Sequence, residues 1–294
     1  MALFAIMDDS IATRILRIEL DKAASTAVTG IFQQQRQHFE AHHSNKIPFY
    51  AGYTPKYDEC FETINFGASA LLIDAVTRPT AIPTWDPNTI SINNIKALFI
   101  GVDAPHNPNI IALQTFNKKQ VLDTSKSFLG TLVGKKTTFS KAVSFGFNVD
   151  DKLVAIIDGN TIYFKSFFKL RSIFDMSSYF TAATDQELDT FAHQQIFSLP
   201  QNFDLKSIAD TVIRSKVTLI NQTGLLTPQN LQIFKAEAQK VNFPLQIVAN
   251  GGVEKIIMPV SKKEIKDLLD FIEEDIWVSG ISGRKFKAGS KRPI

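Results

Sequence analysis

Cations set among aromatic residues are the side chains whose types and spacing point most directly to chemistry in this chain. Lys165, Lys169 and Arg171 stand between Tyr163, Phe164, Phe167, Phe168, Phe174, Tyr179 and Phe180. Such a mixture holds phosphates on its charges and stacks bases on its rings, as single-strand binders do. The plainer expectation is that the aromatics fill a core while the cations stay on the wet side. A second group, Lys118, Lys119, Lys126, Lys135, Lys136 and Lys141, has only Asp123 within it as a counter-charge. A third, Arg284, Lys285, Lys287, Lys291 and Arg292, forms an ending with no acidic residue, which can lie along a phosphate backbone. The candidate DNA contacts are therefore Lys118, Lys119, Lys135, Lys136, Lys165, Lys169, Arg171, Arg284, Lys285, Lys287, Lys291 and Arg292.

Other spacings touch on catalysis without reaching it. Gly130, Gly134, Lys135, Lys136 and Thr137 approximate a phosphate loop, but the spacing is one residue short and a Lys replaces the Mg²⁺-binding hydroxyl. A basic surface patch is the better reading. His38, His42 and His43 lie near i, i+4 spacing, which can present two imidazoles to a metal, yet helix-end histidines are ordinarily solvated. A metal-dependent nuclease would need carboxylates such as Asp150, Asp151, Asp158 and Glu254, with Lys255, to converge on a divalent ion. Glu264 and Lys266 have the ExK spacing but fall on the wet face of an expected amphipathic helix. No catalytic residue, metal ligand or cofactor is assigned, and a protein-interaction scaffold stands as a further alternative. Cys60, the single cysteine, excludes an internal disulfide, fits a reducing compartment and is expected as a small buried hydrophobe.

With 294 residues, 44% hydrophobic and 24 of them Phe, the chain can build a sizeable core as one large or two ordinary domains. The balance of 32 basic against 29 acidic residues leaves +3, so any affinity for polyanions must come from local patches. The opening residues Met1 to Met7 read as a strand and not a signal peptide. No apolar run approaches the roughly 20 residues of a membrane helix.

These candidates need elements to hold them. Ala2 to Met7 and Thr13 to Leu20 read as strands, Asp21 to His42 as a helix whose run from Gln33 to Gln37 is a solvated face, and Ile47 to Pro87 as the least regular part. Ala97 to Val102 and Ile110 to Phe116 read as two more strands. A hairpin follows, with Leu153 to Ile157 and Thr161 to Phe164 joined by Asp158, Gly159 and Asn160. Capping at Thr184 with Glu187 starts a helix to about Leu199, and a 3.6-residue period from Leu205 to Gly224 gives another. Thr227 and Pro228 open a third. A second hairpin turns at Asn250, Gly251 and Gly252, and Ser261 with Glu264 caps a final helix. The expected fold class is α+β, with a β-rich amino-terminal domain over 1–147 and a domain of hairpins packed against several helices over 148–294.

The segment from Leu153 to Phe191, the final helix, and the ending Ser279 to Phe286 with Ser290, Lys291 and Arg292 resemble the KwaB-like proteins of the Kiwa anti-phage defence system. The likeness extends more loosely through Ala97 to Gln120. It implies a cytoplasmic DNA-binding protein that self-associates and works with a small membrane protein resembling KwaA to restrict phage replication or transcription. It supplies no catalytic motif, and the first third, to about Asn93, resembles the family least.

Overall fold

The structure is a computed structural model and describes residues 1–103, 107–122, 128–133, 136–141 and 146–291. The chain is α+β, as expected. It divides into two compact units: Met1–Phe49 with Pro55–Asp175, and Tyr50–Thr54 with Met176–Ile294.

The first unit opens with β1 (Leu3–Met7), β2 (Ile15–Ile18), α1 (Lys22–His42), β3 (Asn45–Pro48), β4 (Glu59–Thr63) and α2 (Ser69–Thr77). The long strands β5 (Ile95–Asp103) and β6 (Asn107–Thr115) follow. Two small ladders pair β7 (Val121–Leu122) with β10 (Gly146–Phe147) and β8 (Phe128–Val133) with β9 (Lys136–Lys141). The unit closes with β11 (Ala155–Asp158), β12 (Thr161–Phe164) and the short α3 (Phe167–Arg171). Eight strands form one sheet in the order β2-β1-β5-β6-β11-β12-β4-β3, antiparallel throughout except for β3 beside β4.

Both faces of this sheet are covered, which explains why its central strands read as continuous apolar runs rather than alternating ones. Successive residues of β5 point to opposite faces. Leu98, Ile100 and Val102 join the core that holds Phe32 and Phe39 of α1. Gly101, between them, lies against Val76 of α2, and a Cβ added there would come within 2.2 Å of the Val76 side chain. The central hairpin forms where expected, but β11 begins at Ala155 rather than Leu153 and takes in Asp158, which was expected in the turn. Gly159 takes φ 59 at its two-residue loop, a conformation cheap only for glycine.

The expected boundary near residues 147 and 148 is corrected. It would cut the sheet, because β11 hydrogen-bonds to β6 on one side and to β12 on the other, so the hairpin belongs with the strands before it. The stretch from Ile47 to Pro87 is also more regular than expected, since it contains β4 and α2.

The second unit contains α4 (Asp185–Ala192), β13 (Phe197–Ser198), α5 (Leu205–Ile208), α6 (Thr211–Thr223), α7 (Leu231–Lys240), β14 (Ile247–Asn250), β15 (Val253–Ile257), α8 (Lys262–Ile272), β16 (Ile276–Val278) and β17 (Lys285–Lys287). A three-stranded sheet, β13-β15-β14, shares a core with α4, α6, α7 and α8. The helix expected to run unbroken from Leu205 is two helices. Asp210 interrupts it by accepting hydrogen bonds from the amides of Val212 and Ile213, and so acts as a fresh N-cap. The helix from Thr184 ends at Ala192, short of Leu199, and the chain turns into β13.

Gly101→Ala should lower stability by about 1–3 kcal/mol, the ordinary range for overpacking a tight core. A lower urea midpoint measures it; an unchanged midpoint would mean that α2 does not press on β5 as described.

Candidate nucleic-acid interface

In the first unit the register of the central hairpin decides which cations meet. Ala155 pairs with Phe164, so the residues entering β11 and those leaving β12 emerge side by side. Lys152 therefore lies near Lys165, and Ser166 then turns the chain into α3 by accepting a hydrogen bond from the Lys169 amide at 3.3 Å. Phe164 also pairs with Phe61 of β4, which brings Lys165 to the loop leading into that strand. There Lys165 Nζ donates to the Tyr57 carbonyl at 2.7 Å and stands 5.4 Å from the centre of the Tyr57 ring.

Helix α1 supplies the opposite wall. Phe32 and Phe39 are buried, which anchors the helix and leaves His38, His42 and His43 along its last turns. The His38 and His42 rings approach to 3.9 Å, and His42 meets the edge of Tyr57 at 5.9 Å. His42 Nδ1 lies 2.8 Å from the His38 carbonyl, and His43 Nδ1 lies 2.9 Å from that of Phe39. A carbonyl only accepts, so in both rings Nδ1 carries a proton and Nε2 is the atom left for a ligand.

A buried polar link ties this wall to β11. Gln114 of β6, fully buried, donates to Gln35 of α1 and to the Asp150 carbonyl at 3.0 Å, and accepts from the Asp150 amide at 3.0 Å. Gln35 donates to the same carbonyl at 2.7 Å. Every strong group in the link is used, as a buried amide requires. Gln35 is thus half-buried and structural, which corrects the expectation that the whole Gln33 to Gln37 run is a solvated face.

Between these elements lies a cavity of about 400 Å³, floored by Phe39, Leu153 and Val154. Three lysines (Lys152, Lys165, Lys169) line it against one carboxylate, Asp151, so its field is positive, and three histidines (His38, His42, His43) line it beside them. Tyr57, 75% exposed as a residue, lines it as well. Burial pushes the adjacent Asp150 carboxyl up, helped by its hydrogen bond with Asp151.

Of the sequence candidates, Lys165 and Lys169 come together here. Arg171 is exposed at the end of α3. Lys118 and Lys119 are exposed on a single turn of 3-10 helix, with Asn117 and Gln120 capping it. Lys135 and Arg292 lie outside the described residues, as does the Lys136 side chain. Lys152, Tyr57 and Gln114 were missed. The signal for Lys152 was its position immediately before the hairpin's apolar run, whereas nothing local marks Tyr57 or Gln114. Of the aromatics around Lys165, Phe164 and Phe174 are buried core, Tyr163, Phe167, Tyr179 and Phe180 are half-buried, and Phe168 is 77% exposed.

The carboxy-terminal cations are differently placed from the acid-free arm expected of them. Lys285 and Lys287 belong to β17, which pairs with β16. Lys285 Nζ donates to the Asn242 carbonyl at 3.1 Å. Lys287 is paired with Asp270 and, at 3.8 Å, with Asp267. Lys291 is 3.2 Å from Asp275, and Ser290 Oγ accepts from the Thr54 amide at 2.8 Å. Arg284 is exposed. The counter-charges come from α8 and the turn after it, where Lys216 of α6 also meets Asp270, Glu273 and Asp275 at 3.1, 2.6 and 2.5 Å. Burial alone would lower the Lys216 pKa, but hydrogen bonds to Asp275 and Glu273 outweigh it and push the group up. Burial pushes Glu273 up in turn, against the pull of Lys216.

Of the carboxylates considered for a nuclease, Glu254 and Glu264 are engaged in structural work. Glu254 pairs with Lys235, Glu264 bonds the Ser261 hydroxyl that caps α8, and Lys266 pairs with Asp210 at 2.6 Å. Among the described residues no group of three or more His, Cys, Asp or Glu is placed to hold a metal ion. Cys60 is buried, its thiol pushed up by that burial. No helix among the described residues is long and apolar enough to cross a membrane. No protein-family profile, curated protein or solved structure matches this chain.

Two consequences can be measured. Lys216→Met strips the buried carboxylates of their shared cation and should cost about 3–5 kcal/mol, read as a lower denaturation midpoint. His43 is held below its usual 6.5, chiefly by burial, against the hydrogen bond to Phe39 and with Lys165 adding to the effect. The native state therefore keeps the neutral ring while the unfolded chain protonates. Its contribution is present above pH 6.5 and lost as pH falls through the lower folded value. Between pH 7 and pH 5 the wild type should lose more stability than His43→Gln, and equal losses would remove His43 from the account.

Proposed function

We propose that this chain binds DNA through its first unit, as a KwaB-like effector of anti-phage defence. The observation that carries the DNA reading is the gathering of Lys152, Lys165 and Lys169 with three histidines around one cavity, against a single carboxylate. Exposed Lys118, Lys119, Lys141 and Arg171 add cations on the same unit. The carboxy-terminal lysines contribute less to this reading than their sequence suggests, because Lys287 and Lys291 already face Asp270 and Asp275. In the same proposal the protein is cytoplasmic, self-associates and meets a membrane partner resembling KwaA. The resemblance from Leu153 to Phe191 and in the ending is the support for those parts.

Phosphate contacts displace condensed counterions, so three lysine contacts give a log–log salt slope of about −2 to −3. Charge reversal at Lys152, Lys165 and Lys169 together should weaken binding about tenfold or more on all sequences alike and flatten that slope, since such contacts position without specifying. Fluorescence anisotropy with labelled DNA at several salt concentrations makes the measurement. Undetectable binding by the wild type, or an affinity indifferent to the triple reversal, defeats the reading.

A further inference from the structure

The same cavity carries a narrower statement, which rests on the DNA reading just given. We infer that it receives one unpaired nucleotide, base and phosphate together, rather than the backbone of an intact duplex. A duplex backbone needs only cations on an open surface. Here the lysines rim a hollow of about 400 Å³, a size suited to a compact ligand.

The walls are also differentiated in a way that a phosphate alone does not call for. Phe39, Leu153 and Val154 give an apolar floor. Tyr57, largely exposed, lines the cavity with its ring, and its neighbour His42 packs against His38 with the two rings tilted by 32° and their centres 3.9 Å apart. Aromatic faces of this kind take bases by stacking whatever their identity. Lys152, Lys165 and Lys169 then supply the charge for the attached phosphate. The Nε2 atoms of His42 and His43 are free to hydrogen-bond a base edge or a phosphate oxygen, because both Nδ1 atoms are committed to α1 carbonyls. A paired base inside a duplex cannot reach such a hollow without leaving its stack.

The shared chemistry admits two sources, a free nucleotide or an unpaired residue within a strand, and the test separates them. The full-length protein is titrated with a labelled single strand, an abasic strand of equal charge, a blunt duplex, and a deoxynucleoside monophosphate and inorganic phosphate as competitors. The single strand should bind more tightly than the abasic strand. Tyr57→Ala should weaken the single strand by about 5- to 150-fold, the range of one base–aromatic stack, and leave the duplex and abasic strand unchanged. Tyr57→Phe should restore binding, while a melting curve checks that both variants fold. The monophosphate should compete at concentrations where inorganic phosphate does not. A monophosphate binding as tightly as the strand identifies the free nucleotide, and a much tighter strand identifies the unpaired residue. The inference is overturned if abasic and ordinary strands bind alike, if Tyr57→Ala changes nothing or changes every ligand equally, or if phosphate competes as well as the nucleotide. Reversal of the three lysines abolishing DNA binding while Tyr57→Ala is silent would keep the DNA reading and discard this one.

Discussion

The pairing of β11 with both β6 and β12 is the constraint on which the first unit and its cavity depend. Without the β6 partner, β11, β12, β4 and β3 would be cut off from β2, β1, β5 and β6, and the eight-stranded sheet would fall into two halves. With it, Ala155, Ile156 and Ile157 lie opposite Leu113, Ala112 and Ile111 and become part of the sheet's interior. The antiparallel register then carries Lys152 and Lys165 to the same end of the sheet, where they are neighbours although 13 positions separate them. Gln114, seated in β6, holds both the approach to β11 and the helix α1. The cavity's two walls thus hang from one strand.

In the second unit, ion pairing divides the cations by use. Lys216 sits inside a ring of acids that would be costly to bury without it, and Lys287 and Lys291 add charge from the outside. Such lysines are committed to the fold and present little free charge to a polyanion. Lys152 and Lys169 are exposed, and the charge around them is not balanced in this way. The net charge of the whole chain conceals this difference, since it counts all lysines alike.

Much of the local structure was legible from the residues. Gly159 and the paired Gly251 and Gly252 take the positive φ values that their hairpins require. Asp21, Thr184 and Ser261 cap the helices they were expected to start, because a short oxygen-bearing side chain before an apolar period satisfies amides that the helix leaves open. Where the reading failed, a nearby competing signal was decisive. Asp210 interrupted a good helical period, and the irregular composition around Pro48 and Pro55 hid β4, whose five residues needed β12 to become a strand.

What the sequence by itself determined, then, was the set of elements and the presence of cations, because capping, turn chemistry and periodicity act between residues a few positions apart. Only the tertiary structure decided which cations were free and which met. Ion pairs such as Lys287 with Asp270 span helix and strand, and the neighbours of Tyr57 include His42 and Lys165, brought there by sheet order and helix docking. Those distances are set by long-range pairing in the folded chain, which local spacing does not encode.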